Sequence, residues 1–142
     1  MASHHFAAPA RFAHEASNVL KPAGRLVMID SIGDNDPELD ELLDQLERRR
    51  DPTHARSLTL PAWKRMLAEA GLTVDHVETF QRTHIWDDWT GRSGMTPASR
   101  AALEEFLRSA PRRFRERYVV QFLPDGTVQS WSDFKCLIRG VK

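Results

Sequence analysis

Apolar residues recur at helical spacing in four stretches of the chain. The first covers residues 9–20 and begins with a proline, which suits a first helical turn. The second follows Asp36, a good capping residue, and ends in three arginines that suit a helix C-terminus. The third covers residues 59–70, and the fourth begins at Thr96-Pro97. The side chains predicted to face inward are Phe12, Ala16, Val19 and Leu20; Leu39, Leu42, Leu43 and Leu46; Trp63, Met66, Leu67 and Ala70; and Ala102, Leu103, Phe106, Leu107 and Ala110.

Other stretches have the patterns of strands. Residues 25–30 form a continuous apolar run, which is typical of a strand covered on both faces. Residues 72–80 alternate until a bulge expected near His76. Residues 118–123 and 127–131 flank the turn Pro124-Asp125-Gly126 and predict a hairpin, and residues 134–141 form the last strand. Residues 86–95 follow neither period.

The order of these elements predicts an α/β fold, a Rossmann-like mixed sheet with a helical insertion before the last strand. We expect one domain over residues 1–142, with the insertion at about residues 86–117. A chain of this length can bury a core.

Composition and charge restrict the function classes. The chain has 20 basic and 20 acidic side chains, so no net charge attracts nucleic acid or anionic lipid, and we expect neither partner. Its single cysteine excludes an internal disulfide. Apolar runs are too short to span a bilayer, and no hydrophobic signal region is visible. The expectation is a soluble cytoplasmic protein.

Two blocks of sequence carry a resemblance to a known family. The first leads from Ser3-His4-His5-Phe6 through the predicted helix and the turn Lys21-Pro22-Ala23-Gly24 into the apolar run 25–30. The second is a helix that ends in Ala70-Gly71-Leu72 before a strand. Together, and in this order, they resemble the C-terminal half of a class I S-adenosylmethionine-dependent methyltransferase of the ubiquinone/menaquinone-biosynthesis type.

The resemblance implies a strand order and a missing half. Residues 26–30 would be the fifth strand, residues 72–80 the sixth, and residues 134–141 an antiparallel seventh strand inserted between them. In the family, a glycine-rich loop and an acidic residue at the ends of earlier strands hold S-adenosylmethionine. The seven glycines here include no Gly-x-Gly pair. We therefore expect that this chain alone does not bind the cofactor.

The same resemblance suggests the site residues nearest the methyl donor. His4 and His5 would follow the fourth strand, where they could position the acceptor or take its proton. Ser3 and His4 would also lie next to the cofactor, and Phe6 next to the acceptor. A frayed N-terminus is the competing interpretation for these residues.

Further substrate contacts are predicted at Ser31 and in the insertion. Ser31 and Asp30 end the predicted fifth strand, where ligands bind in α/β folds, although Asp30 could equally be a turn residue. Trp86 and Trp89, with Phe106, could form an apolar acceptor pocket, but such aromatic residues more often belong to a core.

Other chemistry has little support. The arginines between 112 and 117 favour a solvated helical face over an anion site, and Gly91-Arg92-Ser93-Gly94 follows no predicted strand. The histidines have no zinc spacing, so no metal site is expected. Cys136 lies in an alternating strand, and no Gly-x-Ser-x-Gly elbow occurs.

Two functions remain open at this stage. The first is the acceptor-side half of a small-molecule methyltransferase, inactive as an isolated chain and completed by an N-terminal half that was lost by truncation, gene splitting or gene calling. The second is a non-enzymatic binding or assembly module. In either case the unpaired edge of residues 26–30 predicts a homodimer. The alternative is a local rearrangement in which the N-terminal segment or the strand 127–131 folds over the gap.

Overall fold

The computed structural model of the chain describes residues 3–142. It divides into two compact units, each assembled from separate stretches of sequence. The first unit contains the residues up to Gly33, Ala55–Phe80 and Phe134–Lys142, and the second contains Asp34–His54 and Gln81–Asp133. No helix in the described residues is both long and apolar enough to cross a membrane.

The helices and strands follow one another in this order along the chain. A short 3-10 helix covers Ser3–His5, and the α-helices are α1 Pro9–Val19, α2 Pro37–Arg50, α3 Leu60–Glu69, α4 Trp86–Gly91, α5 Pro97–Ser109 and α6 Arg112–Arg117. The strands are β1 Arg25–Ser31, β2 Thr73–Ile85, β3 Gln121–Phe122 and β4 Val128–Val141.

Side-chain caps begin three of the helices. The carboxylate of Asp36 accepts hydrogen bonds from backbone amides at the start of α2, and the hydroxyls of Thr59 and Thr96 do the same for α3 and α5. Gly71 has a φ of +81° just after α3, where a left-handed residue ends the helix. The helix starts predicted at these residues are confirmed.

The sheet has the strand order β1-β4-β2. Strands β1 and β4 are antiparallel, with Arg25 opposite Val141 and Ser31 opposite Lys135. The order implied by the family resemblance, with the last strand between the other two, is therefore confirmed.

The last part of the chain differs from the prediction in the extent of its strands, and β3 covers only Gln121–Phe122 of the predicted strand 118–123. Strand β3 pairs with β4 through a turn in which Gly126 has a φ of +85°, as expected for a hairpin. However, residues 127–131 and 134–141 do not form separate strands, because β4 is continuous over 14 residues. Strand β2 is likewise longer than predicted and ends at Ile85.

The first unit packs its core on one face of the sheet. Helix α1 contacts α3, and the buried side chains there are Ala13, Trp63, Leu67, Ala70, Leu72, Cys136 and Ile138. The opposite face of β1 is open, because Val27 is 56% exposed and Ile29 is 41% exposed. The prediction that β1 is covered on both faces is thus wrong for this chain. The predicted inward position of Val19 is also wrong, because it lies about 200° around the helix from buried Ser17 and is 81% exposed.

The second unit has an aromatic core. Helices α2 and α5 contact each other, and the ring centroids of Trp89 and Trp131 are 4.7 Å apart. Residues 86–91, for which no period was clear, form helix α4. On α5 the predicted inward residue Ala102 is exposed. Glu104 is buried instead, because its carboxylate accepts a hydrogen bond of 2.8 Å from the indole of Trp86.

Candidate functional site

Asp30, at the carboxyl end of β1, is the centre of a polar cluster in the first unit. Its side chain is nearly fully buried, and Oδ1 lies 2.7 Å from Nδ1 of His4. The same oxygen accepts a hydrogen bond of 2.8 Å from the backbone amide of Ser31. Oδ2 accepts one of 2.6 Å from the backbone amide of Ser3 and another from the Ser3 hydroxyl. Residues 27 positions apart in the sequence therefore meet at one carboxylate.

The environment of Asp30 fixes its charge. Burial alone would raise the pKa of this carboxyl, but the hydrogen bonds from His4 and Ser3 outweigh burial and hold the pKa well below its ordinary range. An ionised carboxylate can only accept, so Nδ1 of His4 is the donor in this hydrogen bond. This orientation by a carboxylate is the arrangement that prepares an imidazole for proton transfer.

A cavity of about 280 Å³ adjoins this cluster in the first unit. Ser3 and Asp30 give it a polar end, and the other walls are apolar: Phe6, Phe12, Val27, Met28 and Ile29. The rings of Phe6 and Phe12 lie 5.1 Å apart at its side. Four consecutive residues of β1, from Val27 to Asp30, contribute to its lining.

Three of the predicted site residues converge here, namely Ser3, His4 and Phe6. His5 is exposed, and its ring lies 4.3 Å from the ring of His4. The backbone carbonyl of His4 accepts hydrogen bonds of 2.8 Å and 3.1 Å from the amides of Ala55 and Arg56, which fixes the segment in the first unit.

The hydroxyl of Ser31 has a different partner. It accepts a hydrogen bond of 2.6 Å from Nζ of Lys135, which is opposite it on β4 and only 6% exposed.

Burial raises the pKa of the neighbouring Cys136 thiol to about 11, so this side chain is not a nucleophile at neutral pH.

Trp86 and Trp89 belong to the second unit. Both are buried there, and the guanidinium of Arg50 lies 4.7 Å from the Trp89 ring centroid. Their assignment as substrate contacts stays a prediction.

The sequence analysis missed the role of Asp30 as the residue that holds His4 and Ser3, and it did not single out Lys135. A signal for Asp30 was present, because a carboxylate that ends an apolar strand requires buried partners. Lys135 gives a similar signal, since it lies inside an apolar stretch of the last strand.

Comparisons with known proteins agree with this fold. The chain is 31% identical over 142 residues to the uncharacterized methyltransferase YcgJ of Bacillus subtilis (strain 168), covering 99% of this chain and 56% of YcgJ. It is 28% identical over 119 residues to the uncharacterized protein YafE of Escherichia coli (strain K12), covering 84% of this chain and 58% of YafE. No family model matches the chain.

Two solved structures match this chain over nearly its full length. The crystal structure of BH2331 from Bacillus halodurans, provisionally assigned as a methyltransferase, matches with a TM-score of 0.96 and 31% identity, covering all of this chain and 66% of BH2331. The crystal structure of YcgJ matches with a TM-score of 0.94 and 28% identity, covering 99% of this chain and 60% of YcgJ. The chain is methyltransferase-like in sequence and in fold.

This methyltransferase-like chain spans only part of its relatives, between 56% and 66% of the length of YcgJ, YafE and BH2331. Methyltransferase relatives imply the use of S-adenosylmethionine in the family. The ubiquinone/menaquinone type stays a prediction.

Proposed function

We propose that this chain is the acceptor-side part of an S-adenosylmethionine-dependent methyltransferase that acts on a small molecule. The observation that carries the proposal is the His4–Asp30 pair, which lies at the carboxyl end of β1 beside an apolar cavity. Ligands bind beyond this end of the strands in α/β folds.

The residues present do not fit the cofactor by themselves. The sequence offers no Gly-x-Gly segment for close approach of backbone amides. Asp30 could in principle hold ribose hydroxyls, but its two oxygens already accept four hydrogen bonds from Ser3, His4 and Ser31. Because a carboxylate has about four acceptor positions, none is left for a ribose. We therefore assign no cofactor contact to Asp30.

His4 has a role that its geometry allows. Asp30 holds Nδ1 of His4, and we assign to Nε2 the role of taking a proton from a hydroxyl, amine or acidic carbon of the acceptor. The buried carboxylate of Asp30 lies next to the imidazole and stabilises the imidazolium that forms when His4 takes a proton. Phe6 and Phe12 provide an apolar wall for the body of the acceptor. The cofactor, when supplied by a complete active site, provides the methyl group.

A chimera with YcgJ tests the proposal. This chain replaces the matching part of YcgJ, and titration calorimetry measures S-adenosylmethionine affinity for the chimera and for the isolated chain. We expect micromolar binding by the chimera and binding at least about a hundredfold weaker by the isolated chain. Micromolar binding by the isolated chain would contradict the division of roles, and a folded chimera that does not bind would contradict the methyltransferase assignment.

The His4 assignment has its own test in the same chimera. A screen of small hydroxylated and amine acceptors, with S-adenosylhomocysteine release as the readout, identifies a substrate. His4→Asn should then lower the transfer rate by about a hundredfold, which is typical for loss of a general base, while cofactor affinity changes little. His76→Asn, on an exposed part of β2, is the control and should leave the rate unchanged. A fall of equal size in both variants would exclude His4 as the base.

A further inference from the structure

The arginines of α6, in the second unit, differ in what they contact. Most of them meet carboxylates, but Arg115 donates only to the backbone carbonyl of Arg108, at 2.9 Å from Nη1. Within residues 3–142, no carboxylate lies within ion-pair distance of Arg115. The paired arginines are Arg112 with Glu116, Arg113 with Asp36 and Glu38, and Arg117 with Asp34.

A groove of about 400 Å³ lies beside Arg115. This volume is within the range of small-molecule sites. Arg115 is half-buried, and the apolar side chains of Val119 and Phe122 form the wall next to it. The polar groups that line it are Arg112, Arg115, Glu116 and Gln121. Because Arg112 neutralises Glu116 at a distance of 2.6 Å, Arg115 remains as the uncompensated cation.

Val119 occupies a backbone position that normally belongs to glycine. Its φ is +46°. The amide of Val119 donates a hydrogen bond of 3.3 Å to the carbonyl of Glu116, and the amide of Val120 donates one of 2.9 Å to the carbonyl of Arg115. These two bonds form a Schellman motif, in which glycine is usual at the left-handed residue. A β-branched residue there is an outlier, and such outliers concentrate at ligand sites. The strained residue also exposes 39% of its surface.

We propose that this groove binds a small organic monocarboxylate. The guanidinium of Arg115 matches a carboxylate with two parallel hydrogen bonds, and Val119 and Phe122 cover the apolar body of the ligand. With Glu116 neutralised by Arg112, the single uncompensated cation of the groove matches a monoanion better than a dianion such as a phosphate monoester. This site is separate in chemistry from the proposed methyl transfer and does not depend on it.

Titration of the full chain with phenylacetate, followed by amide NMR shifts, tests the proposal. We expect saturable shifts at Val119, Val120 and Phe122. The neutral analogue phenylacetamide should bind at least about tenfold more weakly, because it lacks the charge-assisted hydrogen bonds. Acetate and phenyl phosphate should also bind more weakly, since the first lacks the apolar body and the second is a dianion.

Two matched variants complete the experiment. Arg115→Gln should weaken phenylacetate binding by about tenfold or more, whereas Arg113→Gln, on the same helix but outside the groove lining, should change it by less than about twofold. If Arg115→Gln does not fold, Arg115→Lys serves in its place. It keeps the charge without the planar guanidinium, so its affinity for phenylacetate should be lower than that of the wild type but should not be lost. Equal affinity for phenylacetate and phenylacetamide, or equal losses in the Arg115 and Arg113 variants, would overturn the proposal. Tighter binding of phenyl phosphate would replace the monocarboxylate by a phosphate ligand.

Discussion

Among single residues, Asp30 combines near-complete burial with an ionised carboxylate that receives four hydrogen bonds. A buried charge is stable only when such partners are present. The same interactions make Asp30 important for both His4 orientation and folding, so its substitution is expected to affect stability in a pH-dependent way.

Asp30→Asn should lower the free energy of unfolding at pH 7 by about 2 kcal/mol, because the amide nitrogen cannot accept from Ser3. The folded pKa of Asp30 is lowered from its ordinary value of 3.8, so the carboxylate stabilises the fold above about pH 4 and this stabilisation is lost as the pH falls further. Urea unfolding from pH 7 to pH 2 should show the difference between wild type and variant narrowing below about pH 4.

Asp75→Asn is the control for this comparison. Asp75 pairs with Arg139 at 2.8 Å, but on an exposed part of the sheet where water screens the pair. Asp75→Asn should cause little change in the free energy of unfolding at pH 7 or at pH 2. A difference for Asp30→Asn that stays constant with pH would show that the lost stability is not electrostatic.

Val119 gives a second prediction at the residue scale. Glycine at position 119 should be more stable than alanine there by about 1 kcal/mol, because only glycine adopts a positive φ without a steric penalty. Both variants lack the two methyl groups of Val119, but alanine keeps the Cβ and therefore the backbone strain. The difference in free energy of unfolding between the two variants measures that strain. Urea unfolding of both variants measures it, and equal stability would show that residue 119 is not strained in solution.

Among the elements, β1 pairs with β4 on one edge and with no described strand on the other, and one of its apolar faces is exposed. A two-fold axis at Met28 in an antiparallel pairing of two copies would place Val27 opposite Ile29 of the partner subunit. Both are exposed apolar side chains on one face, so the strand is self-complementary in register. We propose that the isolated chain forms a homodimer through this edge. Because Val27, Met28 and Ile29 also line the candidate acceptor cavity, we expect dimer formation and acceptor binding to exclude each other.

Sedimentation equilibrium at micromolar concentration tests the dimer. Ile29→Lys should convert it to a monomer, because a charge on an edge strand opposes pairing. Ile85→Lys, at a side chain that is 55% exposed at the end of β2, should leave it a dimer. A wild-type monomer would contradict the pairing.

On the scale of the whole molecule, the single cysteine reports on global opening. Cys136 lies in the core of the first unit with no exposed surface, and burial raises its thiol pKa to about 11. A thiol reagent should therefore label the native chain very slowly at pH 8, and labelling in urea should follow the loss of circular dichroism. Fast labelling without urea would show local opening around β4.

The sequence by itself determined the local elements. The caps at Asp36, Thr59 and Thr96 and the turns at Gly71 and Gly126 were predictable because each depends on neighbours within a few residues. The family resemblance added the strand order, which periodicity does not contain.

Only the tertiary structure decided which side chains meet and which stay open. Asp30 contacts Ser3 and His4, more than 25 residues earlier. Arg115 differs from the other α6 arginines only through what surrounds it. One face of β1 is partly exposed because no residue from 3 to 142 covers it completely. Periodicity along the sequence reports which side of an element is apolar. Contact across the fold decides whether that side is buried, and which charges find partners.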